Sequence, residues 1–108
     1  MKSLTKQEEQ ILLVIYQLNE DAYLVNIREK LKEITGKYLD VGTIYVPLNR
    51  LYKNGYLDTY HGEPTAVRGG KAIKYYKLTK QGLEVLSQIK TIHDRLWDGF
   101  RTTVIKNA

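Results

Sequence analysis

Apolar residues recur along the chain at two periods, and the changes of period divide it into elements. Ile11, Leu12, Ile15 and Leu18 follow at helical spacing behind Thr5-Lys6-Gln7-Glu8. That opening is a capping box, in which Thr5 caps the backbone N–H of Glu8 and Glu8 reaches back to Thr5. A first helix is therefore expected from about Thr5 to Asn19. A second follows Tyr23, with Leu24, Ile27, Leu31 and Ile34 as one stripe and Gly36 as its left-handed stop.

The third helix is expected in "VGTIYVPLNRLYKN", with Asp40 as N-cap and Gly55 just past its end. At about 100° per residue, Val41, Ile44, Tyr45, Leu48, Leu51 and Tyr52 share one apolar arc. The opposite arc holds Gly42, Thr43, Val46, Asn49, Arg50 and Lys53, with no acid among them. Pro47 conflicts with this helix, because it removes a backbone donor and crowds the carbonyl of Thr43. Either the helix begins later than Asp40 suggests or its first turn is kinked.

Two short β-prone runs come next, "YLDTY" and "KAIKYYKLT", separated by a long loop containing Pro64, Gly69 and Gly70. They read as a hairpin, with Tyr76 and Leu78 on the core face. Helical period then returns. Val85, Ile89, Ile92, Leu96 and Phe100 form a stripe, with Leu83, Leu86 and Trp97 beside it, on a helix from about Lys80 to beyond Arg101. Its apolar face is broad for so small a core, so this stripe is expected to bury itself against a second copy of the chain.

The order helix, helix, helix, hairpin, long helix is that of a winged helix-turn-helix. Its third helix enters the major groove and its hairpin, the wing, lies along the backbone or minor groove. The fold class expected is mainly α with a small antiparallel β-hairpin. Residues 1–78 make the winged-helix unit and residues 79–108 a C-terminal dimerisation helix.

Charge agrees with this arrangement. The 108-residue chain carries a formal net charge of +5, and all of that excess lies between Arg50 and Lys80. Segregated positive charge suits a polyanion, nucleic acid first and an anionic membrane surface second. Charge alone leaves a solvated basic face without a partner equally open. Cysteine is absent, which excludes disulfides and thiolate metal sites. His61 and His93 stand alone, so no metal site is expected. No nucleophile–base–acid set is discernible, so neither catalysis nor a cofactor is expected. Without a membrane-spanning run or a signal peptide, a cytoplasmic location is expected.

On the third helix, Arg50 and Lys53 are the leading DNA contacts. Arg50 can hold a guanine bidentately or clamp a phosphate, and phosphate is favoured because the backbone takes more protein–DNA hydrogen bonds than the bases do. Asn49 can pair with adenine and Val46 can meet a thymine methyl. Thr43, with the backbone near Gly42, is expected at a phosphate by the helix N-terminus. Tyr45 suits the core better than DNA, although its hydroxyl can reach a phosphate. In the wing, Arg68, Lys71 and Lys74 are expected on the backbone.

The stretches "VGTIYVPLNRLYKNGYL" and "GEPTAVRGGKAIKYYKLTKQGLEVL" resemble the PadR-like transcriptional regulators. The first carries Gly-Thr, an apolar residue and Tyr, then Arg-Leu and a Gly at the helix end. The second carries Gly-Gly, basic residues, Tyr-Tyr, then Leu-Thr and a Gly opening the next helix. The resemblance spans roughly residues 4 to 97. It implies a homodimeric regulator of double-stranded DNA, most often a repressor, joined through its C-terminal helix. It also makes Trp97 a candidate platform for a small aromatic effector, against the plainer alternative that Trp97 packs between subunits. Two features depart from the family pattern. Val46 separates Tyr45 from Pro47, and the C-terminal region is short. The rival to DNA binding is a winged helix whose basic face meets an acidic protein.

Overall fold

The computed structural model describes residues 3–62 and 72–101 of the chain. In order these form α1 (Lys6–Leu18), a 3-10 turn (Asn19–Asp21), α2 (Leu24–Thr35), α3 (Val41–Lys53), β1 (Leu57–His61), β2 (Lys74–Leu78) and α4 (Lys80–Leu96). The architecture is mainly helical with one antiparallel hairpin. No helix among the described residues is long and apolar enough to cross a membrane.

Helices α1, α3 and α4 each begin where a side chain satisfies a free N–H of the first turn, whereas α2 starts after Tyr23 without a side-chain cap. In α1 the capping box is formed: Glu8 N donates to Thr5 Oγ1 at 3.0 Å, and Thr5 N donates to Glu8 Oε1 at 2.9 Å. Asn19 ends α1 in a positive-φ conformation, one that asparagine adopts more readily than most residues. Gly36 closes α2 at φ 79°, where a Cβ would be strained. Of the stripe expected on α2, Ile27 and Leu31 are buried, Leu24 is half-buried, and Ile34 is exposed.

The N-cap of α3 is Asp40, whose Oδ1 accepts from Thr43 N at 2.7 Å. Hydrogen bonds from the Thr43 backbone, then from its side chain, hold the Asp40 carboxyl below the usual carboxylate range. From there α3 runs without interruption through Pro47 to Lys53, so the helix does not start late. The Pro47 ring is buried in the core, while Thr43, whose carbonyl lacks the proline's donor, is on an exposed stretch that water can reach.

That burial rotates the helix from the expected setting. The core seam is Ile44, Pro47, Leu48 and Leu51. Val41, Tyr45 and Tyr52, placed in the apolar arc by periodicity, are exposed. A proline ring counts as apolar volume once its missing N–H is tolerated, and this shifts the buried arc by about half the spacing between residues.

Around that seam Ile11, Leu12, Ile15, Ile27 and Leu57 are fully buried, and Val14, Ala22, Leu31, Tyr76 and Val85 complete the core. Each large side chain stabilises the fold by about 1.5–3 kcal/mol relative to exposure.

The strands pair in register Leu57↔Leu78, Thr59↔Tyr76 and His61↔Lys74 on one face, with Asp58↔Lys77 and Tyr60↔Tyr75 on the other. Tyr76 and half-buried Leu78 face the core, as expected. The far edge of β2 is also covered: Tyr76 N donates to Ala22 O at 2.8 Å, and Tyr75 bridges Tyr23. The Tyr75 ring sits between Tyr60, stacked at 5.4 Å, and Tyr23, edge-on at 5.6 Å. The hairpin is thus tied to the link between α1 and α2.

Thr79 joins hairpin and helix. Its N–H donates to Tyr56 O at 3.1 Å, its hydroxyl donates to Gly55 O at 2.6 Å, and the same oxygen accepts Gly82 N at 3.1 Å. Gly82 lies so near this junction that a Cβ would overlap the Tyr56 carbonyl oxygen. At its other end α4 is shorter than expected. It stops at Leu96, and Gly99 turns the chain at φ 79°. Phe100, expected on the helix, instead folds its ring edge-on against Trp97 at 5.0 Å.

Gly82→Ala tests the junction. Alanine gains about 1 kcal/mol of helix propensity, but forcing a methyl against a backbone carbonyl costs up to about 3 kcal/mol. A net loss of roughly 1–2 kcal/mol is expected in urea unfolding; a neutral or stabilised variant contradicts the close approach. Asp40 supplies a pH test. Its lowered carboxyl contributes stability that is fully present above the ordinary carboxylate pKa and is lost as pH falls through the depressed one. Thermal melts from about pH 5 down to pH 2 should show an acid loss that is smaller in Asp40→Asn. An identical acid limb in that variant removes Asp40 as a contributor.

Candidate nucleic-acid interface

Because Ile44, Pro47, Leu48 and Leu51 point inward, the other side of α3 is presented to solvent. Its centre holds Gly42, Val46, Asn49 and Lys53, with Tyr45 on one flank and Arg50 on the other. Val46 is 59% exposed, a large apolar side chain left in water. Lys53 and Gly42 are exposed and Asn49 is half-buried. No Asp or Glu occurs anywhere in α3.

Both flanks are tied to neighbouring elements. Arg50 Nη1 pairs with Glu8 Oε2 of α1 at 3.3 Å. On the opposite flank, Lys74 of β2 holds its Nζ 5.8 Å from the centre of the Tyr45 ring and 5.5 Å from that of Tyr76. Cations over aromatic faces are attracted by the ring quadrupole. Burial pushes the Tyr76 hydroxyl up to about 12, with a smaller contribution from Tyr45, so this ring stays neutral beside the lysine. The loop leading into α3 is held too. Arg28 Nε donates to Leu39 O at 2.9 Å while its guanidinium lies 4.4 Å from the centre of the Tyr38 ring.

The residues proposed from sequence therefore fall into several groups. Val46, Asn49 and Lys53 lie together on the open centre of α3. Lys74 reaches α3, yet through aromatic rings, so it is both a wing cation and a brace. Thr43 is exposed, but its N–H and hydroxyl are both engaged by Asp40, and an ionised carboxylate beside it opposes a phosphate at that end of the helix. Arg68 and Lys71 lie outside the described residues. Trp97, 53% exposed, is distant in sequence from α3 and stacks on His93 at 5.5 Å.

The stripe on α4 divides. Val85 is buried in the chain's own core, with Leu86 and Ile89 half-buried against it. Ile92, Leu96 and Phe100 are exposed, Leu96 by 79%. Between α1 and α4 runs an apolar groove of about 640 Å³, lined in part by Leu13, Tyr16, Leu83, Leu86 and Ile89. Among the described residues no three His, Cys, Asp or Glu side chains gather as a metal site would require.

Sequence reasoning missed the Glu8–Arg50 pair. The capping box accounts for one oxygen of Glu8, and nothing local signals that the other meets a residue 42 positions away.

Comparison with known proteins agrees with this geometry. None of the curated protein sequences matches the chain significantly. A PadR family transcriptional regulator from Eggerthella lenta is 30% identical, with 82% of this chain and 75% of that one covered and a TM-score of 0.64. A PadR-like transcription factor from Bacteroides fragilis is 29% identical, covers 95% of this chain and 93% of its own, and has a TM-score of 0.68. A PadR family transcription regulator from Clostridium difficile is 28% identical, at 82% and 88% coverage and a TM-score of 0.62. The model of the transcriptional regulator PadR-like family matches residues 11–88, which take in every element from α1 into α4, and the chain belongs to that family of transcriptional regulators.

Proposed function

We propose that the protein is a sequence-specific DNA-binding repressor that works as a homodimer in the cytoplasm. In this reading α3 enters the major groove of double-stranded DNA and the wing follows the backbone or minor groove. The observation that carries it is the acid-free outer face of α3, where Val46, Asn49 and Lys53 face solvent beside Lys74 of β2. Hydrogen-bonding, apolar and cationic groups on one narrow helical strip match the base edges and phosphates of a groove. Membership of a family whose regulators bind DNA and commonly dimerise supports the same reading.

Residues 1–78 form the DNA-binding unit and residues 79–108 the dimerising one. Ile92, Leu96, Trp97 and Phe100 would be covered by a second copy, because an exposed apolar run of this kind is unfavourable in water. Two copies related by a twofold axis would read an inverted repeat with half-sites about 10 bp apart. Trp97, already stacked on an imidazole, is a platform for a flat aromatic effector at that interface. Tryptophan fluorescence unmoved by a panel of aromatic compounds would argue against the effector role alone.

Random duplexes selected by the purified protein should converge on a palindromic motif. Lys53→Ala and Lys71→Ala should each weaken all duplexes about equally and lower the salt slope by about one, while Asn49→Ala should cost roughly tenfold on the selected site and little on random DNA. Selection without any shared motif favours the rival reading, a basic face for an acidic protein. For assembly, Leu96→Asp with Trp97→Asp should convert a dimer to a monomer in sedimentation equilibrium. A wild-type monomer under the same conditions overturns the dimer.

A further inference from the structure

Glu8 is the one charged residue buried among the described residues, at 3% exposure. Its carboxylate has two distinct jobs. Oε1 takes the Thr5 N–H at 2.9 Å, which closes the capping box of α1, and Oε2 takes Arg50 Nη1 at 3.3 Å. The Arg50 side chain is half exposed, at 51%, so one edge of its fork is anchored while other donors remain open to solvent. An arginine so anchored is a planar fork in a fixed orientation, unlike the flexible point charge of a lysine. A buried acid that binds a cation at a surface is weak evidence for stability, and its best-attested use is to specify an arrangement.

Arg50 also lies at the edge of the α3 outer face, on the side of α1, with Val46, Asn49 and Lys53 between it and the Tyr45–Lys74 brace. Resting on the DNA-binding reading above, we propose that Glu8 is a positioning residue for DNA recognition. It tethers Arg50 at the flank of α3, restricts that guanidinium to a backbone phosphate in one orientation, and leaves base reading to Val46 and Asn49. Released from Glu8, Arg50 is a mobile cation able to find a phosphate on any duplex. Binding to random DNA rises and discrimination falls.

Glu8→Gln separates the tether from the cap, because glutamine serves equally in a capping box. Affinities of the full chain are measured over a salt series for random duplex and for the motif recovered by selection. Glu8→Gln should bind random duplex several-fold more tightly with a steeper salt slope, as one more uncompensated positive charge would give, and should lose roughly tenfold of its discrimination. Discrimination equal to wild type, with only a lower melting temperature, makes Glu8 a structural residue and overturns the proposal. Glu8→Gln with Arg50→Gln leaves an uncharged pair and guards against a folding failure of the single variant. In the Arg50→Gln background, adding Glu8→Gln should change neither binding constant, because the tether has nothing left to hold; a further loss of discrimination there also overturns it. If selection returns no motif, the DNA-reading proposal fails by itself. The tether is then judged on random duplex, where unchanged affinity of Glu8→Gln rejects it.

Discussion

Four buried side chains on one helix determine the chemistry this protein presents. Ile44, Pro47, Leu48 and Leu51 lock α3 against α1 and the hairpin, and their burial decides which residues of α3 remain outside. The apolar stabilisation of that seam is several times larger than any polar contact on the outer face could supply. The rotation of α3 is therefore not negotiable by the residues that face solvent, and Val46, Asn49 and Lys53 stay in water because the seam holds the helix in that setting. An exposed valine beside an amide and an ammonium gains nothing for the fold, which is why the outer strip is best understood as a surface for a partner.

Around this seam, smaller interactions settle orientation. Arg50 is drawn toward Glu8, Tyr45 is braced by Lys74, and Arg28 fixes the loop before α3. Thr79 and Gly82 weld the end of the hairpin to α4 with hydrogen bonds and a close backbone approach. Each is modest alone. Together they tie α3 and the loop before it to α1, β2 and α2, and the hairpin to α4.

Most of this architecture was legible in the sequence because its signals are local. The Thr5–Glu8 capping box, the Asp40 N-cap, Gly36 and Gly55 each declare a helix boundary through a side chain or a missing one. The fold class and element order followed from these boundaries and the hydrophobic periods, and the family from the motifs around α3 and the hairpin. Three matters were not legible. Periodicity ranks residues by hydropathy, so it took Tyr45 and Tyr52 for core and discounted Pro47, whose ring packs as well as a valine. The end of α4 depended on Gly99 taking a left-handed turn, which a glycine permits without requiring. The pairing of Glu8 with Arg50 depends on tertiary packing, and neither residue's neighbours in sequence encode it. Periodicity put Val46, Asn49 and Lys53 on the outer face of α3, where they lie, but the contacts of Thr43 with Asp40 and of Arg50 with Glu8 lay beyond its reach.

In the reading proposed above, the outer strip of α3 is the surface that meets DNA. Amide chemical-shift mapping of the labelled protein during titration with duplex DNA tests it most directly, since it reports every residue at once. The largest changes are expected at Val46, Asn49, Arg50 and Lys53, with smaller ones at Lys74, and none at Val25 or Ile34 on α2. Perturbations centred on α2, with α3 silent, would contradict it.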